Sequence, residues 1–135
     1  MSLATLLYAS SACLPAGERD AHLAQLVHHA VAANSRMNVT GALMHCATRF
    51  VELLEGPPEV LDPLVTRIAA DTRHTDMITL LRKPITERRF TTFALVYNGN
   101  SVFVSRNISR PLAQAKRGSE VETHDLVQMM IEFSR

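Results

Sequence analysis

Asn38-Val39-Thr40-Gly41-Ala42-Leu43, followed by Phe50-Val51-Glu52-Leu53-Leu54-Glu55-Gly56-Pro57, is the stretch whose reading decides the fold. Residues 39–44 and 50–54 are apolar and partly β-branched, which predicts two strands. The polar segment 45–49 leaves room for a tight turn between them, and Gly56-Pro57-Pro58 breaks the chain after them. Alternate strand residues share a face, so Glu52 points the same way as Phe50 and Leu54. A carboxylate on an apolar face costs several kcal/mol unless it is protonated, paired or directed at a ligand. Arg49 and Arg82 are the cations that folding could bring to it.

Outward from this pair the elements alternate. Residues 3–10 form an almost wholly apolar run, the mark of a strand covered on both faces, with Tyr8 on the parity of Ala4 and Leu6. A loop with Pro15 and Gly17 follows. Residues 20–34 predict a helix with Leu23, Leu26, Val27, Ala30 and Val31 as its apolar stripe. Asn34 lies about three turns beyond Leu23 and projects from that stripe, either as a C-terminal cap or into the interior. A second helix spans 59–72 with Val60, Leu61, Leu64, Val65 and Ile68 inward. Arg67 and Asp71, at i and i+4 on the edge of that stripe, read as a modest helical ion pair or as an Arg at the rim of a site, held by its Asp.

Residues 77–81 predict a fourth strand, ended or bent by Pro84. Residues 90–97 predict a fifth, with Phe93, Leu95 and Tyr97 on one face, closed by a turn at Asn98-Gly99-Asn100. The order strand, helix, strand, strand, helix, strand, strand gives an α+β fold of the ferredoxin-like type, with both helices on one face of the sheet. Beyond residue 100 the pattern weakens. Residues 102–104 suggest a short strand. Residues 122–133 suggest a helix, with Leu126, Met129, Met130 and Phe133 positioned to cover the bare face of the sheet.

The bulk properties exclude several classes. The 135 residues suit one domain; 47% hydrophobic and 20% charged residues are ordinary for a globular chain. A net charge of +1 gives no electrostatic case for nucleic acid or an anionic membrane. No apolar run nears the ~20 residues of a membrane span. Two cysteines, Cys13 and Cys46, make no disulfide framework, and the start of the chain lacks signal-peptide character, so a cytoplasmic location is expected. There is no P-loop, dinucleotide fingerprint or serine elbow, so no enzymatic activity is expected. The six histidines are scattered, and His28 and His29 point about 100° apart on a helix, so no metal site is expected.

The motifs taken together resemble a BLUF domain, the flavin-binding blue-light sensor family. They are Thr5-Leu6-Leu7-Tyr8-Ala9-Ser10, Asn34, Val39 to Leu43, Phe50 to Pro57, Arg67 with Asp71, Arg73-His74 and Arg88-Arg89-Phe90. The resemblance implies FAD held non-covalently between the two helices, against the sheet. It implies Tyr8 as the redox-active tyrosine and Asn34 as the residue holding the ring edge. Arg67 and Asp71 would belong to the flavin pocket, and Phe93 and Leu95 would stand where the family has Trp and Met near the photoactive site. It divides the chain into a flavin-binding domain, 1–98, and a capping or output segment, 99–135. It also implies signalling to a downstream protein and a homo-oligomeric state. Glu52 stands where the family has its switching glutamine, whose amide offers two hydrogens and an acceptor. Leu95 removes a second partner of that residue. Tyr8, Glu52 and Leu95 are thus the expected photoactive positions. A protein-interaction module that has lost flavin binding or light response is the competing expectation.

Overall fold

The computed structural model describes residues 2–14, 17–114 and 120–135; Pro15 of the first loop lies outside them. Five strands form one sheet in the order β4-β1-β3-β2-β5. Their ranges are β1 Leu3–Ala12, β2 Thr40–Cys46, β3 Arg49–Gly56, β4 His74–Ile85 and β5 Phe93–Gly99. The helices are α1 Arg19–Arg36, α2 Pro58–Ala69, α3 Val102–Gln114 and α4 Glu120–Phe133. All neighbouring strands are antiparallel except β2 and β5, which run parallel. This is the ferredoxin-like α+β arrangement with a fifth strand added beside β2.

β3 lies between β1 and β2 and is buried from Phe50 to Gly56, so the twofold alternation of a strand sorts its side chains into two cores. Phe50 and Leu54 join Leu6, Tyr8, Leu43, Leu23, Leu61 and Leu64 beneath α1 and α2. Val51 and Leu53 join Leu7, Ala42 and Met44 beneath Val104 and Ile108 of α3 and Leu126, Val127 and Met130 of α4. The tail thus covers the second face with two helices. The short strand expected at 102–104 is instead the first turn of α3. Ser101 caps that turn, its Oγ accepting the Val104 amide at 3.3 Å.

The strands depart from the expected bounds for physical reasons. β4 runs through Pro84, which an edge strand tolerates because its free side needs no amide. β5 begins at Phe93, and Phe90 packs in the opposite core. A register shift between Leu43 and Met44 lets Leu95 pair with Leu43 but Tyr97 with Met44. That bulge turns Tyr97 to the α3–α4 side, where its ring stacks on Phe133 at 5.3 Å, so Phe93, Leu95 and Tyr97 do not share a face.

Gly41 is required by close approach. Its φ is +147°, and a Cβ there would sit 1.8 Å from the Leu53 carbonyl oxygen. Gly41→Ala is therefore expected to force β2 away from β3 and to lower the urea midpoint sharply. Leu126→Ala, at a fully buried position of α4, is expected to cost about 2–5 kcal/mol in the same unfolding experiment. A loss near zero would mean that α4 is not part of the cooperative core.

Candidate functional site

A cavity of about 250 Å³ opens between α1, α2 and the sheet, far more room than one or two waters take. Its apolar walls include Leu26, Ala30 and Ala33 of α1, Leu64 and Ile68 of α2, and Leu43 and Phe50 of the sheet. Its polar lining is Tyr8, His29, Asn34, Glu52, Arg67, Asp71, Arg73 and His74.

The floor follows from strand register. Tyr8 of β1 is directly opposite Glu52 of β3, Glu52 is opposite Leu43 of β2, and Leu43 is opposite Leu95 of β5. Tyr8 Oη donates a 2.5 Å hydrogen bond to Glu52 Oε1, a short, strong contact. Glu52 is 5% exposed, and Tyr8, not Arg49 or Arg82, is its partner; Arg82 pairs with Asp62 instead. Burial pushes the Glu52 carboxyl from 4.5 to about 7, with the Tyr8 bond pulling the other way. The Tyr8 phenol is raised well above its usual value by burial, then by the neighbouring Glu52 charge.

The walls are set by helix ends. α1 runs two residues past Asn34 and is closed by Met37 and by Asn38, whose φ is +57°. Asn34 is therefore not the cap. It is 4% exposed, lines the cavity, and its carboxamide makes no hydrogen bond among the described residues. α2 stops at Ala69, so Asp71 lies outside the helix and the expected i, i+4 pair with Arg67 does not form. Asp71 instead accepts from Arg73, with Oδ2 at 2.6 Å from Nη2 and Oδ1 at 3.0 Å from Nε. Those bonds hold its carboxyl below the usual range. Arg67 Nη2 reaches only the Met37 sulfur, at 3.4 Å, which leaves a cation without a carboxylate partner on the cavity wall among the described residues.

His74 ties the far end. Its Nε2–H donates to the Ile68 carbonyl, and its Nδ1 is hydrogen-bonded with the Ser10 hydroxyl at 2.8 Å, which joins α2 to β1. Its ring lies 6.1 Å from that of Tyr8. Of the positions singled out in the sequence, Tyr8, Asn34, Glu52, Arg67 and Asp71 meet at this cavity. Phe93 and Leu95 lie on the same face but outside its lining, with Leu43 between Leu95 and Glu52. His29 was weighed only as a metal ligand; its spacing of three from Leu26 and four from Ala33 along α1 was the available signal.

A ferredoxin-like sheet with two helices over a tyrosine-floored cavity is an α+β domain with room for a ligand, and comparison gives it a family. Residues 3–96 match the family model described as BLUF, sensors of blue-light using FAD. The chain belongs to the BLUF family. It is 36% identical over 89 residues to the photoactivated adenylate cyclase subunit beta of Euglena longa, a match covering 66% of this chain and 10% of that protein. With the corresponding subunit of Euglena gracilis the identity is 38% over 87 residues, 64% of this chain and 10% of the relative. The chain spans about a tenth of these curated relatives. Among solved structures, BlrB, a BLUF protein in its dark state, superposes with a TM-score of 0.73 at 26% identity, over 97% of this chain and 96% of that one. The photo-activated state of BlsA shares the fold at a TM-score of 0.78 and 19% identity, over 96% and 94% of the two chains. The domain is thus a blue-light sensor of the flavin-using kind. Its cavity fits such a group: apolar walls for a ring, and, among the described residues, a carboxamide without a hydrogen bond and a guanidinium without a carboxylate partner on the lining.

A carboxyl whose folded pKa stands above its unfolded value supports the fold only while protonated. Its contribution is full below about pH 4.5 and is lost as pH rises through about 7. In the flavin-free protein, Glu52→Gln should remove this loss. The variant is expected to gain on the parent by roughly 3 kcal/mol between acid and neutral pH, an order-of-magnitude figure, read from urea midpoints across that range. Parallel pH profiles would mean that Glu52 is not held in a desolvated site.

Proposed function

We propose that this protein binds FAD non-covalently in the α1–α2 cavity and signals blue light to a partner protein through hydrogen-bond rearrangement at Tyr8 and Glu52. The observation that carries the reading is the 2.5 Å Tyr8–Glu52 bond on the floor of a BLUF-fold cavity. FAD, when bound, supplies blue-light absorption and a one-electron acceptor. Everything else falls to the chain. Asn34 offers its carboxamide to the ring edge, and Arg67 offers the unpaired cation. The Asp71–Arg73 pair and His74 fix the cavity's end. Tyr8 holds a transferable proton against Glu52 and can give up an electron.

A carboxyl has at most one proton to place, where a carboxamide has two hydrogens. The switch at Glu52 is therefore a relay through the Tyr8–Glu52 pair, Oε1 receiving the Tyr8 proton only as Oε2 gives one up, not the turning of an amide. Residues 1–98 would be the flavin-binding part and 99–135 the capping and output part. Its helices lie on the face reached by Val51 and Leu53, the neighbours of Glu52. The Euglena relatives are named as cyclase subunits. By analogy, this domain senses light and a separate protein or domain acts on it, in the cytoplasm and as a homo-oligomer. Among the described residues no helix is long and apolar enough to cross a membrane.

The test is the absorption spectrum of the purified protein with FAD, before and after blue light. A bound flavin with a reversible shift to longer wavelength is expected. Tyr8→Phe should abolish the shift, and Glu52→Gln should enlarge it. Arg67→Ala should raise the FAD dissociation constant about tenfold or more, as loss of one charge-assisted hydrogen bond would. Bound flavin with no light response in either the parent or Glu52→Gln would leave a pocket without a switch and support the interaction-module reading.

A further inference from the structure

β3 carries two buried glutamates in opposite circumstances. Glu55 accepts hydrogen bonds from the Thr40 hydroxyl and from the amides of Arg89 and Phe90. Glu52 accepts from Tyr8 alone, and its second oxygen has no donor among the described residues although the side chain lines the cavity.

Among the described residues no cation pairs with Glu52, whose titration answers only to burial and to Tyr8. From α1 comes His29, and from α2 comes Arg67, which reaches Met37. From the segment after α2 come Asp71, a like charge, and Arg73, already committed to Asp71. From β4 comes His74, with both ring nitrogens engaged. From β1 comes the Tyr8 hydroxyl, and on β2 the same face carries His45, bonded to Asn98. An ionised Glu52 thus depends on solvent entering the cavity. A ring filling the cavity expels that solvent. The anion then loses its hydration with no cation in exchange, whereas the neutral carboxyl loses little and gains an O–H to donate to ring acceptors.

We propose that filling of the cavity by the flavin ring is coupled to uptake of one proton at Glu52, so that ambient pH sets how much of the sensor carries its cofactor. The coupling rests on the flavin-binding reading above. Burial already brings the carboxyl of the open cavity to about 7, so the free protein is divided between the two forms near neutrality and the coupling operates there. Loading is favoured by acid and opposed by alkali.

The experiment is calorimetric titration of the full chain, stripped of bound flavin, with FAD in buffers of different ionisation enthalpy. Proton uptake is expected to rise from near zero at about pH 5 towards one at about pH 9, with the FAD dissociation constant increasing about tenfold per pH unit above neutrality. Glu52→Gln should bind without uptake and without that slope, while keeping His29, His45 and His74. The infrared spectrum of the parent, which needs no variant, should gain a protonated carboxyl band on FAD addition. Binding with no proton uptake, or with uptake that persists in Glu52→Gln, overturns the coupling but leaves the flavin pocket intact. No FAD binding by either protein at any pH overturns the flavin reading itself and the coupling with it.

Discussion

The architecture depends on one constraint: β3 is buried on both sides, and a strand can only alternate. Each residue from Phe50 to Glu55 is thereby assigned to the cavity side or the tail side. A slip of one residue would exchange the two cores and turn Glu52 into the helix-packed hydrophobic interior under α3 and α4. Gly41 guards this register from the β2 side, because only a residue without Cβ lets the two backbones close up there. The register of β1 then places Tyr8 opposite Glu52, so the chemical pair is a consequence of strand alignment.

The polar groups of the cavity divide into those that are finished and those that are not. Asp71 with Arg73, and His74 between Ser10 and Ile68, complete one another and make a rigid end wall. Asn34, Arg67 and the second oxygen of Glu52 are left without full partners among the described residues and open onto the cavity. Buried polar groups ordinarily find partners. Three incomplete ones line a single, mostly apolar cavity, where a ligand could complete them.

Much of this was legible in the chain. The parity of Glu52 followed from strand alternation, and the helix stripes gave the interior of α2 and put Asn34 on the inward side of α1 with cap and interior both open, because one strong period governed each segment. What failed depended on longer-range events. The Arg67–Asp71 pair presupposed a helix continuing to residue 72, but α2 ends at Ala69 and releases Asp71 to Arg73. The shared face of Phe93, Leu95 and Tyr97 was lost to a bulge that only the pairing with β2 reveals. α3 was hidden because Val102-Phe103-Val104 reads as strand. Ser101 as cap and Val104, Ile108 and Leu112 at helical spacing were the contrary signal.

The arrangement of Glu55 has a consequence for how such a chain can change over generations. Glu55 fixes two backbone amides of the segment leading into β5, and Arg88 adds a bond to its carbonyl, so altering that side chain alters the path of the main chain. The Glu52 side chain, three residues earlier, bonds among the described residues only to a phenol. The glutamate that ties down the main chain and the glutamate that faces the cavity are therefore separable neighbours on one strand. An exchange of acid for amide at position 52 therefore leaves the path of the main chain alone and is felt instead in how stability depends on pH.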